Sequence, residues 1–503
     1  VHNNGEVSAA AGRGVDAAGK VESRGIDHIP AVERHGGPID FAWAFGPSQL
    51  GFVIAVFGSF PIAFGLSLWS TLSAILVGTA IGSLLISLQA LSGPKTGTTQ
   101  SVTSVAFFGV HGRLIGAVLA LVTNIGFGAI IAWTTGQAFV WGLHRLIGTP
   151  TGDGVLAIGM ALVIVGMIVL GFYGHATLIA SYKVIAVVNT VLQLAILAVF
   201  AHDFSAVPGG NYLLGSAGAT WALSVALIAS VPISYATWPN DYGRYMPEDT
   251  PPAKIVAWAF GGMFVGCTFA FVLGALVATT FVDPAGQFVP GVMQGAPVAF
   301  IPLLLVYALT GNVINGAPGV YNAALDLHAL LFFLKRTVVV LIVGAAMLVA
   351  SFLAVIVLDA VDTVTAFVTI NAVLLSAWMG VTLVGLFTRG NRYHTADLHA
   401  FATPGHRGRY WFTGGFNLRA VGAMTVGSGV GLLFSQTTLF TGPLAAEVDG
   451  VDLSFGSSFV VTAALYALLV ALVPERDVSP AHEEQVPTPS GRPTPALESD
   501  PVG

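Results

Sequence analysis

Runs of about twenty apolar residues follow one another along most of the chain, and short polar stretches separate them. A helix needs about 20 predominantly apolar residues to cross a bilayer, so each run predicts one such helix. Twelve runs are readable, at 41–66, 68–90, 114–141, 155–172, 184–200, 219–239, 255–281, 300–325, 337–358, 363–386, 420–440 and 455–473. Within these bounds no run carries Asp, Glu, Lys, Arg or His, and the charge falls in the turns between them. The pattern predicts an all-α integral membrane protein with twelve transmembrane helices.

Two runs are interrupted. The first reads "DFAWAFGPSQLGFVIAVFGSFP", with Gly46-Pro47-Ser48-Gln49 about a third of the way in. The sixth reads "SVPISYATWPNDYGRY", with Pro232 and Pro239 seven residues apart. A proline removes an intrahelical hydrogen bond and clashes with the preceding turn. At membrane depth, freed backbone groups are tolerated only where they face protein or a cavity. Runs one and six hold corresponding places if the first ten runs form two halves of five. Matched breaks in two halves are the sequence pointer to the site of an inverted-repeat transporter; a structural kink in each helix is the alternative. The eighth run, "LVYALTGNVINGAPGVYNAALDLHALL", adds Thr310, Asn312, Asn315, Tyr321 and Asn322 within one span. Polar side chains there face the bundle interior, either along a solute path or in interhelical hydrogen bonds. Asp326, at the end of this run, is expected to be solvated.

Composition and charge sharpen the picture. The chain of 503 residues is 55% hydrophobic and 9% charged, against about 25% charged in soluble domains. With the N-terminus placed in the cytoplasm, the connections on that side hold twelve Lys/Arg: Lys95, Arg113, Lys183, Arg244, Lys254, Lys335, Arg336, Arg389, Arg392, Arg407, Arg409 and Arg419. The opposite connections hold Arg145 alone. The positive-inside rule then places both termini in the cytoplasm. Residues 1–39 are polar, without the apolar core of a cleavable leader. From about Pro474 the chain turns Pro-, Glu- and Ser-rich, the composition of a disordered tail. The lone Cys267 lies in an apolar run and reads as a small buried hydrophobe. The net charge of −6 sits mostly in the tails. No nucleic-acid partner is expected, and the oligomeric state stays open. No nucleophile–base pair, phosphate loop or metal cluster appears, so no catalytic residue is expected and the chain does not read as an enzyme.

An ordered set of motifs carries a family resemblance. These are "RGIDHIPAVERHG" (24–36), "GLSLW" (65–69), "GPKTGTTQ" (93–100), "FFGVHG" (107–112), "GHATLIASYKV" (174–184), "SYATWPNDYGRYMP" (234–247), and "GNV" followed by "YNAAL" (321–325). Over nearly all of residues 24–473 the chain resembles the nucleobase–cation symporter family, in its purine–cytosine permease branch. The resemblance implies an inverted five-plus-five helix repeat with two additional C-terminal helices. It divides the chain into a cytoplasmic segment 1–39, a transporter domain 40–473 and the tail 474–503. Within the domain the first repeat covers about 41–200, the second about 219–386 and the extra helices about 420–473.

The resemblance also implies import of a nucleobase or related heterocycle with Na⁺ or H⁺ across the plasma membrane. An aromatic from the third run and one from the sixth would stack on the ring. Those positions are Phe127 and Tyr235, and both depart from the family's usual Trp. Gln49 matches a polar substrate position. The eighth run's family Asn falls at Gly316 here, so Asn315, or Asn312, would take its part; Ser234 adds a hydroxyl edge. The cation positions map to Phe45, Ser48, Tyr307, Thr310 and Gly311, with Thr310 keeping a clear hydroxyl ligand. No other cofactor is implied. A flat neutral base needs stacking faces and amide or hydroxyl edges, and this inventory supplies both. Na⁺ is favoured over H⁺, because proton relays use ionisable groups within the membrane; an edge carboxylate, Asp326 or Asp241, keeps H⁺ open. Trp238 reads as packing or a gate, and Arg244 as an anchor pairing with Asp241. Two other readings are a carrier of an amino acid, vitamin or other small solute and, less favoured, an intramembrane enzyme or sensor.

Overall fold

The computed structural model describes residues 18–22, 25–281, 288–331, 333–356, 360–402, 405–436, 440–448 and 451–473. The expected tail at 474–503, and residues 1–17, 23 and 24 of the expected N-terminal segment, therefore lie outside the described residues.

A helix stands at each apolar run. The first run is two pieces, α1 (Ile39–Phe45) and α2 (Phe52–Ala63), bent by 66° at the break. Then come α3 (Leu68–Gln89), α4 (Arg113–Ile147), α5 (Asp153–Tyr173) and α6 (His175–Phe200). The sixth run gives α7 (Ala217–Ile233) and, past five non-helical residues, the short α8 (Pro239–Gly243). The chain continues through α9 (Pro252–Ala278), α10 (Ile301–Leu330), α11 (Arg336–Ile356), α12 (Ala360–Thr388), α13 (Leu418–Leu433) and α14 (Ser454–Leu472). Among the described residues nine helices are long and apolar enough to cross a membrane, and the bent α1–α2 pair would make a tenth. Helices α7 and α13 are apolar but shorter.

Several helices outrun their apolar cores. Helix α6 begins at His175, so Lys183 lies inside a helix rather than in a turn. Helix α10 runs on to Leu330, so Asp326 is a helical residue, and it is 1% exposed instead of solvated. The reason is tertiary: the segment 92–108, which reads as a loop, folds into three short helices packed under that end of the bundle.

Contacts sort the helices into two groups. Helices α1, α2, α3, α7 and α9 pack on one another, and α4, α5, α10 and α11 form a second set. Helix α6 touches both sets; α12 packs with α13 and α14. The first group closes by backbone contact. A Cβ on Gly266 would come within 2.4 Å of the Gly46 carbonyl oxygen, and one on Gly274 within 1.8 Å of that of Ala55. Gly262, Gly266, Ala270, Gly274 and Ala278 recur every fourth residue, the small-residue stripe that lets membrane helices approach closely.

Candidate substrate cavity

The breaks determine the site. Between α1 and α2, Pro47–Gln49 form a single 3-10 turn and Gly51 is extended, which frees backbone groups at a buried position. Three asparagines satisfy them. Asn315 Nδ2 donates to the Ser48 carbonyl, Asn189 Nδ2 to the Leu50 carbonyl at 3.4 Å, and Val53 N–H donates to Asn312 Oδ1 at 3.0 Å. Helices α6 and α10 thus complete the hydrogen bonding that the broken helix gives up, as burial in a low-dielectric interior demands. In the sixth run, Pro232 weakens the last turn of α7. Residues 234–238 turn, and Pro239 opens α8 at a first-turn position that tolerates proline.

A cavity of about 30 Å³ lies between the two helix groups, where the breaks meet α4 and α10. It is walled by Ile54 of α2, by Val231, Ser234, Tyr235 and Trp238 at the sixth-run break, by Thr123, Asn124, Phe127, Gly128 and Ile131 of α4, and by Asn315, Gly316 and Gly319 of α10. That volume holds about two waters, at roughly 10–15 Å³ each, so a flat ring fits only if the walls part. No ionisable carboxylate, amine or imidazole is among the lining residues.

Three aromatic rings, Phe127, Tyr235 and Trp238, stand in the lining. The Phe127 ring stacks 6.5 Å from Phe57 and meets Phe367 edge-on at 5.8 Å. Tyr235 and Trp238 have ring centroids 3.9 Å apart, and Phe45 meets Tyr235 edge-on at 6.0 Å. The Tyr235 hydroxyl donates to Ser48 Oγ at 3.3 Å, and Gln49 Nε2 donates to the same oxygen at 3.0 Å. Trp238 Nε1 donates to Asn124 Oδ1 at 3.1 Å, a bond that crosses the cavity from one helix group to the other.

The structure therefore brings Phe127, Ser234, Tyr235, Asn315 and Gly316 to one cavity. Gln49 and Asn312 are not among its walls. Gln49 is fully buried beside Ser48. Asn312 is fully buried as well: besides accepting from Val53, its Nδ2 donates to Thr135 Oγ1 at 2.8 Å and Thr134 Oγ1 at 3.2 Å. It fastens α10 to α4 and to the break. Gly316 leaves no room for a Cβ, which would point toward α5 and run into the Met167 side chain. Sequence reasoning missed Asn124 and left Trp238 undecided. The signal for Asn124 was its place three residues before Phe127, a spacing that sets both on one helix face.

The mapped cation positions flank the same break. Ser48 donates to the Phe45 carbonyl at 2.9 Å. Thr310 Oγ1 donates to the Val306 carbonyl at 2.8 Å and lies 3.0 Å from Asn189 Oδ1. Tyr307 accepts from Gln193 Nε2 at 2.8 Å, and Gly311 lies against Leu50 and Gly51. All are oxygen donors, the chemistry a hard monovalent cation takes.

Below the cavity, at the end of the molecule that carries most of the Lys and Arg, Arg244 is fully buried but does not pair with Asp241. Its Nη2 donates to Glu22 Oε1 at 2.6 Å. The Glu22 carboxylate also accepts from the Tyr245 hydroxyl at 2.6 Å and the His175 N–H at 3.2 Å, and Arg336 lies 3.6 Å away. Asp241 instead accepts from the Gln100 N–H at 2.9 Å, capping the short helix Gln100–Thr103. Glu22 outcompetes Asp241 because it brings tyrosine hydroxyls and a backbone N–H to the same buried charge.

Comparison with known proteins identifies the family and the fold. Residues 28–461 match the sequence family described as "Permease for cytosine/purines, uracil, thiamine, allantoin". YxlA of Bacillus subtilis (strain 168), whose name describes it provisionally as a purine-cytosine permease, is 27% identical over 465 residues, covering 90% of this chain and 96% of that protein. The vitamin B6 transporter TPN1 of Saccharomyces cerevisiae is 28% identical over 279 residues, 53% of this chain and 46% of its own length. Among solved structures, the nucleobase-cation-symport-1 family transporter Mhp1, closed with bromovinylhydantoin bound, superposes with a TM-score of 0.72 at 16% identity, covering 91% of this chain and 97% of that one. A Na⁺-coupled sialic acid symporter in an outward-open state gives a TM-score of 0.59 at 12% identity, over 88% of this chain and 92% of that one. These two likenesses concern the fold.

Proposed function

The chain belongs to the family of permeases for cytosine/purines, uracil, thiamine and allantoin, and from that premise we propose that it imports a nucleobase or related flat heterocycle together with a cation, by alternating access. This is a multi-pass membrane transporter and not an enzyme. The observation that carries the nucleobase reading is the cavity at the two breaks, where aromatic faces stand beside amide and hydroxyl edges with no charge. A neutral planar ring is what such walls recognise, by stacking worth about 1–3 kcal/mol per base by analogy with single-stranded nucleic acid.

The proposal takes the twelve runs as twelve crossings. It takes each helix group as drawn from both halves of an inverted repeat, with the two groups rocking about the cavity. Runs one, two, six and seven make up one group and runs three, four, eight and nine the other, a partition that repeats after five. The narrow cavity is then taken as a state between outward and inward opening. The Lys/Arg asymmetry supports a cytoplasmic side for both termini, and the proposal puts the protein in the plasma membrane. Phe45, Ser48, Tyr307, Thr310 and Gly311 would hold Na⁺. Uptake of radiolabelled cytosine, adenine, uracil, hypoxanthine and allantoin into proteoliposomes tests the cargo; saturable uptake of at least one is expected, and none of the five being taken up would overturn it. A second reading, a ring vitamin, is favoured by the similarity to the vitamin B6 transporter, and adding pyridoxine to the same panel separates the two.

A further inference from the structure

Asn124 is 2% exposed and lines the cavity. Its Oδ1 accepts the Trp238 indole N–H at 3.1 Å. An indole nitrogen only donates, so the amide is oriented with its oxygen toward Trp238 and its NH₂ group turned away. That NH₂ group is buried without a hydrogen-bond partner among the described residues. Among the neighbouring donors, Ser234 donates to the Val231 carbonyl, Thr123 to the Leu119 carbonyl and Tyr235 to Ser48 Oγ, and Asn315 gives one of its two N–H groups to the Ser48 carbonyl. Asn124 Nδ2 is thus a cavity-lining amide nitrogen that makes no hydrogen bond among the described residues.

A buried donor without an acceptor is unfavourable, and a ligand acceptor placed against it removes that cost. A site built this way rejects a ligand that presents a donor at the same point, because two donors would then face each other without water. We propose that Asn124, oriented by Trp238, is a specificity-determining residue that reads a hydrogen-bond acceptor on the cargo. The favoured class is the oxo-heterocycles, whose ring carbonyl would meet the Asn124 NH₂ group, over rings that carry an exocyclic amine at that edge. Trp238 is a positioning residue: it decides which end of the amide the cargo meets. This assignment rests on the nucleobase reading of the cavity.

The test titrates the purified full chain with hypoxanthine and adenine, which carry a carbonyl and an amine at the same ring position. The wild type should bind hypoxanthine at least about tenfold more tightly, the factor that corresponds to one well-made polar contact. Asn124→Asp replaces the donor with an acceptor and should lower that preference by about tenfold or more. Asn124→Leu should weaken hypoxanthine by a similar factor and leave adenine within about threefold. Trp238→Phe keeps the ring but frees the amide to turn, and should reduce the preference while both bases still bind. Thermal melting of each variant separates lost folding from lost recognition, and the Trp238→Phe result decides the question should both Asn124 variants fail to fold. An unchanged preference in the variants that fold, or no preference in the wild type, would overturn the assignment alone. Failure of both bases to bind the wild type would overturn the cargo reading and this assignment together.

Discussion

Asn312 and Asn315 stand three residues apart on α10 and have different neighbours. Asn315 lines the cavity, whereas all the polar atoms of Asn312 are committed to Val53, Thr134, Thr135 and the Ile131 carbonyl. Asn312→Ala should therefore lower the melting temperature and leave ligand affinity in the folded fraction unchanged. Leaving buried groups unpaired costs about 1–3 kcal/mol each. Phe127→Ala and Tyr235→Ala should do the opposite: the dissociation constant for the cargo rises at least several-fold, the range expected from losing one stacking face. Unchanged binding in both would mean the ring stacks elsewhere. At Gly319 a Cβ would lie 3.6 Å from Asn124 Oδ1 and 4.0 Å from the Trp238 ring, ordinary van der Waals distances. Gly319→Ala is thus expected to fold and to narrow the cavity, so two-ring purines should lose affinity relative to one-ring pyrimidines in paired titrations. Residue types suited to a base were legible in the sequence. Which amide meets the cavity was not, because facing depends on helix rotation and on partners far along the chain.

At the scale of elements, the broken first helix is supported from two sides. The asparagines of α6 and α10 satisfy its backbone, and the small-residue stripe of α9 lets that backbone come close. Gly274→Ala would drive a methyl into the Ala55 carbonyl, 1.8 Å away. Backbone cannot yield as a flexible side chain can, so destabilisation at or above the usual 1–3 kcal/mol of overpacking is expected in thermal melts. Glu22 ties the segment before α1 to both helix groups through Arg244, Tyr245, Tyr321 and Arg336. Removing one partner of a buried pair strands the other charge, at about 3–5 kcal/mol. Glu22→Ala should then melt well below the wild type, and restoring charge balance with Arg244→Leu should recover part of the loss; a silent Glu22→Ala would show the pair is not buried in solution. The two prolines of the sixth run marked the break to within two residues, since proline acts on its own helix turn. The stripe of α9 was present in the letters too, but its partner surface was not.

For the whole molecule, the cavity lies between two packed helix groups, and the Trp238–Asn124 bond spans them. Coupling belongs to this scale as well. An inward Na⁺ gradient at equal pH is expected to accelerate uptake into proteoliposomes, and a pH gradient without Na⁺ is expected to have little effect. The reverse result would move coupling to the buried carboxylates of Asp241 and Asp326. What the sequence determined by itself is the set of apolar runs, their interruptions and the one-sided distribution of Lys and Arg. These are local consequences of bilayer thickness, of proline geometry and of the cost of burying charge. What the tertiary structure alone decided is which polar groups close the breaks and which face the cavity. It also decided that Asp326 is buried, and that Arg244 pairs with Glu22, 222 residues away, and not with its near neighbour Asp241. A buried polar group takes whatever partners the packed chain brings to it, and sequence separation does not enter that choice.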